Sequence, residues 1–133
     1  MAEENVEIVR RLYEAMNAAD EAAAEKLIAP DAVWVSDPRV AQPPLEGRDA
    51  VISFFNEQAE MFEGLRIDIE RLFDAGDRVV AFVYITGEGR TSGAPMAIRI
   101  GHVWTIRDGT VVKGEGFGDR DEALRAAGLE DEV

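Results

Sequence analysis

Apolar residues recur at three- and four-residue intervals through the first half of the chain and at two-residue intervals through the second, and this change of period sets the element order. Val6, Val9, Leu12, Tyr13 and Met16, with Glu7, Arg10, Arg11 and Glu14 between them, predict an amphipathic helix over about residues 4 to 18. Asp20 is placed to cap a second short helix running to about Ile28, with Pro30 and Asp31 closing it. Ala32 to Ser36 reads as a short strand, followed by an irregular stretch in which Pro38, Pro43, Pro44 and Gly47 disfavour regular structure. Val51, Ile52, Phe54, Phe55, Ala59 and Phe62 predict a third helix from about Arg48 to Phe62, ended by Gly64.

Beyond Gly64 the alternation is that of strands. Leu65, Ile67 and Ile69 alternate with Arg66, Asp68 and Glu70, a turn at Asp74, Gly76 and Asp77 leads into Val79 to about Arg90, and a long strand follows Pro95. Asp108-Gly109 is the strongest hairpin signal and joins that strand to Val111 to about Gly118. Asp119 then caps a terminal helix that Gly128 ends. Helices first and a four-stranded antiparallel meander afterwards predict an α+β fold in one domain over residues 1 to 133, with three N-terminal helices packed on one face of a curved, mainly antiparallel sheet.

His102 breaks the pattern. It shares its side of the long strand with Met96, Ile98, Ile100, Trp104 and Ile106, while Arg99, Thr105 and Arg107 take the other side. An imidazole on an apolar face requires a hydrogen-bonding partner, so His102 is either a structural histidine or the polar group of a pocket. In the next strand Gly114, Gly116 and Gly118 fall on one face, which requires either a closely approaching helix or open space beside His102 and Trp104. On the outer face Ala97, Gly101 and Val103 offer a small apolar patch for self-association.

Composition narrows the partners. With 14 Lys and Arg against 27 Asp and Glu the net charge is −13, the basic residues form no patch, and nucleic acid and anionic membrane are excluded as expected partners. There is no cysteine, which removes disulfides, thiol nucleophiles and thiolate metal sites. One histidine without clustered acids predicts no metal, and the Gly114, Gly116, Gly118 spacing is not a dinucleotide fingerprint, so no cofactor is expected. No signal peptide or membrane span is apparent at the level of sequence, and a cytoplasmic protein is expected.

The segments RRLYEAMNAAD, LIAPDAVWVSDP, LEGRDAVISFF and HVWTIRDGTVV together resemble the NTF2-like superfamily, particularly its SnoaL-like and ketosteroid-isomerase-like proteins, over roughly Asn5 to Leu129. The resemblance implies a cone-shaped half-barrel with a mostly apolar pocket, commonly in a homodimer. It implies a general base at Asp37, in the sequence Val35-Ser36-Asp37-Pro38. The isomerase tyrosine position falls on Leu12, with Tyr13 about 100° around the helix, and the second oxyanion-hole group falls on His102. The acid that other relatives carry on the last strand falls on Gly116. Asp37 and His102 are therefore the expected catalytic pair, with Asp37 alternatively a turn-forming residue. Trp34, Phe55, Tyr13, Trp104, Ile100 and Gly116 are the expected substrate-binding positions, Trp34 and Trp104 as wall or core. Three functions remain open: acid/base proton transfer of isomerase, cyclase or dehydratase type on an apolar carbonyl or polyketide-like substrate, noncatalytic binding of an apolar small molecule, and a dimerisation or adaptor domain.

Overall fold

The computed structural model describes residues 2–129. Helix α1 (Ala2–Ala18) turns Val9, Leu12, Tyr13 and Ala15 inward and leaves Arg10, Arg11 and Glu14 exposed, as its periodicity requires. Ala19 adopts a left-handed conformation (φ 54°), and Asp20 caps α2 (Glu21–Leu27) by accepting a hydrogen bond from the Ala23 amide at 3.1 Å. Strand β1 (Ile28–Val35) starts earlier than the sequence suggests. Ile28 is already extended, and Pro30 and Asp31 are exposed within an irregularity where five residues of β1 pass two of the neighbouring strand. A proline that cannot donate is tolerated at such a bulge rather than ending the element before it.

A two-residue strand β2 (Leu45–Glu46), too short to show a pattern, pairs antiparallel with β1. Helix α3 (Arg48–Glu60) stops before Gly64, which lies instead within β3 (Phe62–Ala75) at φ 62°. Strands β4 (Arg78–Gly89), β5 (Pro95–Arg107) and β6 (Thr110–Phe117) complete the predicted meander. Asp108 (φ 52°) and Gly109 (φ 79°) supply the paired left-handed residues of a tight hairpin. The six strands form one open sheet in the order β2-β1-β6-β5-β4-β3, with β1 and β6 parallel and the other pairs antiparallel.

The main core lies between the inner face of this sheet and the N-terminal helices. Asn17 fastens the end of α1 to β3 by accepting from the Ile67 amide and donating to the Ile67 carbonyl, both at 2.8 Å, so one side chain stands in for a strand partner. A second core covers the outer face, where Ala123 and Leu124 of α4 (Arg120–Ala126) pack on Val80 and Val103. Gly101 permits this approach, since a Cβ there would stand 2.7 Å from the Ala123 Cβ. The expected self-association patch is thereby corrected: Gly101 and Val103 are buried under the chain's own terminal helix, and only Ala97 of the three is exposed.

The glycine stripe of β6 receives no helix; indoles lie against Gly114 and Gly116, and Gly114 also borders an open cavity beside His102 and Trp104. Trp34, Gly114 and Trp104 sit side by side in register on β1, β6 and β5, and the two indoles lean over the glycine between them. A Cβ on Gly114 would stand 2.5 Å from Trp104 Cζ3 and 2.7 Å from Trp34 Cε3, whereas one on Gly116 would meet Trp34 Cζ2 at 3.0 Å. Overpacking of this kind costs about 1 to 3 kcal/mol. In urea denaturation Gly114→Ala is expected to lose stability within that range and Gly116→Ala to lose less. Equal stability of Gly114→Ala and the parent would refute the packing assignment.

Candidate functional site

Between α1, α3 and the inner face of the sheet lies a cavity of about 360 Å³, within the size range of small-molecule sites. Its walls are apolar and aromatic, with Leu12, Trp34, Phe55, Ile100 and Trp104 among them, and His102 is the buried polar residue in the lining. Asn17, Asp20, Glu21 and Gln58 also line it, and their exposure marks the rim. Most polar groups of the lining are already engaged. Trp34 Nε1 donates to Ser36 Oγ at 3.1 Å, Trp104 Nε1 donates to Tyr13 Oη at 2.8 Å, Asn17 is bound to Ile67, and Asn56 donates to Glu21.

His102 keeps 3% of its accessible surface and stands 2.6 Å from Tyr13 Oη through Nδ1. The two ring planes are nearly parallel, at 9°, with their centroids 6.0 Å apart. Because an indole N–H can only donate, Tyr13 Oη accepts from Trp104, while the direction of the bond between Tyr13 Oη and His102 Nδ1 is set by the imidazole tautomer. Among the described residues His102 Nε2 has no hydrogen-bond partner, it keeps some accessible surface, and His102 is part of the cavity lining. Burial lowers the His102 pKa to about 4 and raises that of Tyr13 above the ordinary phenol range, so both are uncharged at neutral pH.

Of the expected site residues, the structure brings together His102, Trp34, Phe55, Ile100 and Trp104 around the cavity. Tyr13 is not part of the lining. Leu12 takes the cavity position, and Tyr13, one residue on, faces the sheet and the base of a polar groove between α1 and β3. Gly116 is also absent from the lining, because Trp34 covers it. Leu12, Phe54 and Met96 line the cavity beyond the expected set; their helix or strand periodicity marked them as inward but could not separate core from wall.

Asp37 does not line the cavity. Its Oδ1 accepts from the backbone and Nε of Arg39, both at 2.9 Å, and its Oδ2 accepts from Arg39 Nη2 at 3.1 Å and the Gly118 amide at 2.6 Å. Arg39 continues to Glu122 at 2.6 Å, so the carboxylate ties the loop after β1 to the end of β6 and to α4. These donors, the Arg39 side chain first, hold its carboxyl well below the usual carboxylate range, the opposite of what a general base requires. The described residues contain no cluster of three or more His, Cys, Asp or Glu suited to a metal ion, and no helix long and apolar enough to cross a membrane.

The geometry has many relatives. A candidate SnoaL-like polyketide cyclase from Jannaschia sp. CCS1 superposes with a TM-score of 0.79 at 24% identity, covering 87% of this chain and 85% of that one. A protein of ketosteroid-isomerase-like fold from Catenulispora acidiphila, solved in complex with trimethylamine, gives 0.75 at 20% identity over 96% of both chains. A candidate polyketide cyclase from Streptomyces antibioticus, IdmH, gives 0.77 at 21% identity over 93% of this chain and 98% of its own. At such identities these likenesses establish the NTF2-like fold and leave the activity open. No curated protein matches the sequence. The SnoaL-like domain family matches residues 9–114, most of the chain, and the protein belongs to that family.

Proposed function

We propose that this protein binds an apolar small molecule carrying a carbonyl oxygen, with His102 Nε2–H donating to that oxygen and the aromatic walls enclosing the rest. The observation that carries this reading is a single buried imidazole, bonded to Tyr13 through Nδ1, in the lining of an otherwise apolar cavity. Polyporic acid, co-crystallised with TerC, a protein of this fold, is a carbonyl-bearing aromatic guest of the kind proposed, whereas the trimethylamine of the Catenulispora acidiphila protein is not.

The same contact would polarise a carbonyl for enolisation. Acid/base turnover also needs a base, and Asp37, the carboxylate expected to serve, is held by Arg39 and Gly118 away from the lining. Binding is therefore the reading favoured over proton transfer. An unoccluded cavity beside Trp104, Met96 and Phe55 likewise favours it over an adaptor domain.

Fluorenone, a planar aromatic ketone, and fluorene, its carbonyl-free analogue, test the reading directly. Trp34 and Trp104 line the cavity, so a bound ketone is expected to quench intrinsic fluorescence saturably. Fluorenone is expected to bind about tenfold tighter than fluorene, the worth of one net hydrogen bond, and His102→Phe is expected to erase that difference. Failure of both compounds to bind would sink the proposal. Asp37→Asn is expected to keep fluorenone affinity within about twofold while lowering the midpoint of thermal unfolding. A large loss of affinity in that variant would restore Asp37 to the site.

The His102 environment also predicts how stability depends on pH. An unfolded histidine titrates near about 6.5, so between that value and about 4 the unfolded chain holds a proton that the folded chain does not. Stability is therefore full above about pH 6.5 and falls as pH decreases toward about 4, by on the order of 3 kcal/mol. Urea denaturation across this window is expected to show that slope in the parent and a flatter one in His102→Phe. Equal slopes would show that His102 is not buried in its neutral form.

A further inference from the structure

We propose that Tyr13, itself held by Trp104, is a positioning residue that locks His102 as an Nε2–H donor and so makes the cavity select hydrogen-bond acceptors over donors. This inference rests on the binding reading above and adds what sets the chemistry of the guest.

The argument follows from counting protons along one chain of contacts. Trp104 Nε1–H must donate, and Tyr13 Oη receives it at 2.8 Å. The Tyr13 proton then has His102 Nδ1, at 2.6 Å, as its acceptor among the described residues. In the opposite tautomer, with the proton on Nδ1, Tyr13 Oη would face two donors and its own O–H would be left buried without an acceptor, an arrangement that proteins avoid. The indole thus sets the direction of the hydroxyl, and the hydroxyl sets the tautomer of the imidazole. Neither Trp104 Nε1 nor Tyr13 is available to the guest, since the first is engaged and the second lies outside the lining. A guest reaching His102 therefore meets a donor, and a guest that offers only an N–H has nothing to bind there.

His102 is the chain's one histidine, so long-range proton–nitrogen NMR of ¹⁵N-labelled protein reads its tautomer without assignment. At pH 7 the parent is expected to show a bare, hydrogen-bonded Nδ1 and a protonated Nε2. A dominant Nδ1–H form would overturn the proposal, and this arm decides it whether or not any ligand binds. Tyr13→Phe is expected to give a mixture of tautomers, and Trp104→Phe, which frees the hydroxyl to rotate, is expected to move the same signals and serves if Tyr13→Phe does not fold. A pure Nε2–H form in a folded variant that lacks either partner would also overturn the lock.

Selectivity is read with three tricyclic compounds of similar shape: fluorenone as acceptor, carbazole as N–H donor and fluorene as neither. The parent is expected to prefer fluorenone to carbazole by at least tenfold. Tyr13→Phe is expected to shrink that ratio at least fivefold while fluorene affinity stays within twofold. A merely structural role for Tyr13 would weaken all three together and leave the ratio intact, which refutes the proposal. If none of the three binds the parent, the functional reading fails while the NMR arm still decides the tautomer.

Discussion

Space on the inner face of the sheet is the constraint from which the site follows. Trp34 and Trp104 occupy β1 and β5, which flank β6, and their rings can meet only because β6 presents Gly114 between them. With the indoles laid over Gly114 and Gly116, the floor of the cavity becomes a continuous aromatic surface that extends through Phe55 on α3. Close packing of rings at 4.9 to 5.6 Å fixes where each edge points, and so fixes where the few polar atoms of the lining can go.

Those atoms are arranged by a second constraint, that buried polar groups must be paired. Trp34 satisfies its N–H within its own strand end at Ser36, and Trp104 turns its N–H to Tyr13. Tyr13 can serve because α1 is pinned to β3 through Asn17, which fixes the rotation of the helix that carries it. The imidazole is the end of this sequence of obligations and retains one nitrogen for the cavity. Displacing the hydroxyl would leave the indole N–H and the imidazole in a low-dielectric interior without their partner, so the three residues stand or fall together.

Much of this was legible along the chain because it depends on local pattern. The face of His102 follows from strand alternation, the meander from its turn residues, and the β5–β6 hairpin from Asp108-Gly109. The role of Tyr13 was not legible, since a step of one residue moves a side chain about 100° around a helix and only docking decides which face meets the cavity. Leu12 took that face, and the tyrosine went to the sheet. Asp37 misleads for a different reason. Its local setting, an acid before proline, suits both a base and a turn, and the choice is made by the Gly118 amide, 81 positions distant, and by Arg39 reaching on to Glu122. The glycine stripe was visible as a need for room, but of the two indoles that fill it Trp34 comes from β1, whose parallel pairing with β6 no local signal marks.

If His102 is the one deep donor of the cavity, as proposed, affinity and orientation have separate sources. Burying about 200 Å² of apolar ligand surface contributes roughly 5 kcal/mol, against about 1 kcal/mol net for the hydrogen bond to His102. On the proposed reading, shape and aromatic contact therefore decide whether a guest stays, and the imidazole decides which way round it lies. With Tyr13 on the sheet face, its hydroxyl lies outside the cavity lining and bonds His102 Nδ1, the contact through which it is proposed to act on a guest. The acid position that the family resemblance implies on β6 is Gly116, covered by the Trp34 indole, and Asp37 is engaged outside the lining, so on the proposed reading His102 is the polar group that a guest meets deep in the cavity.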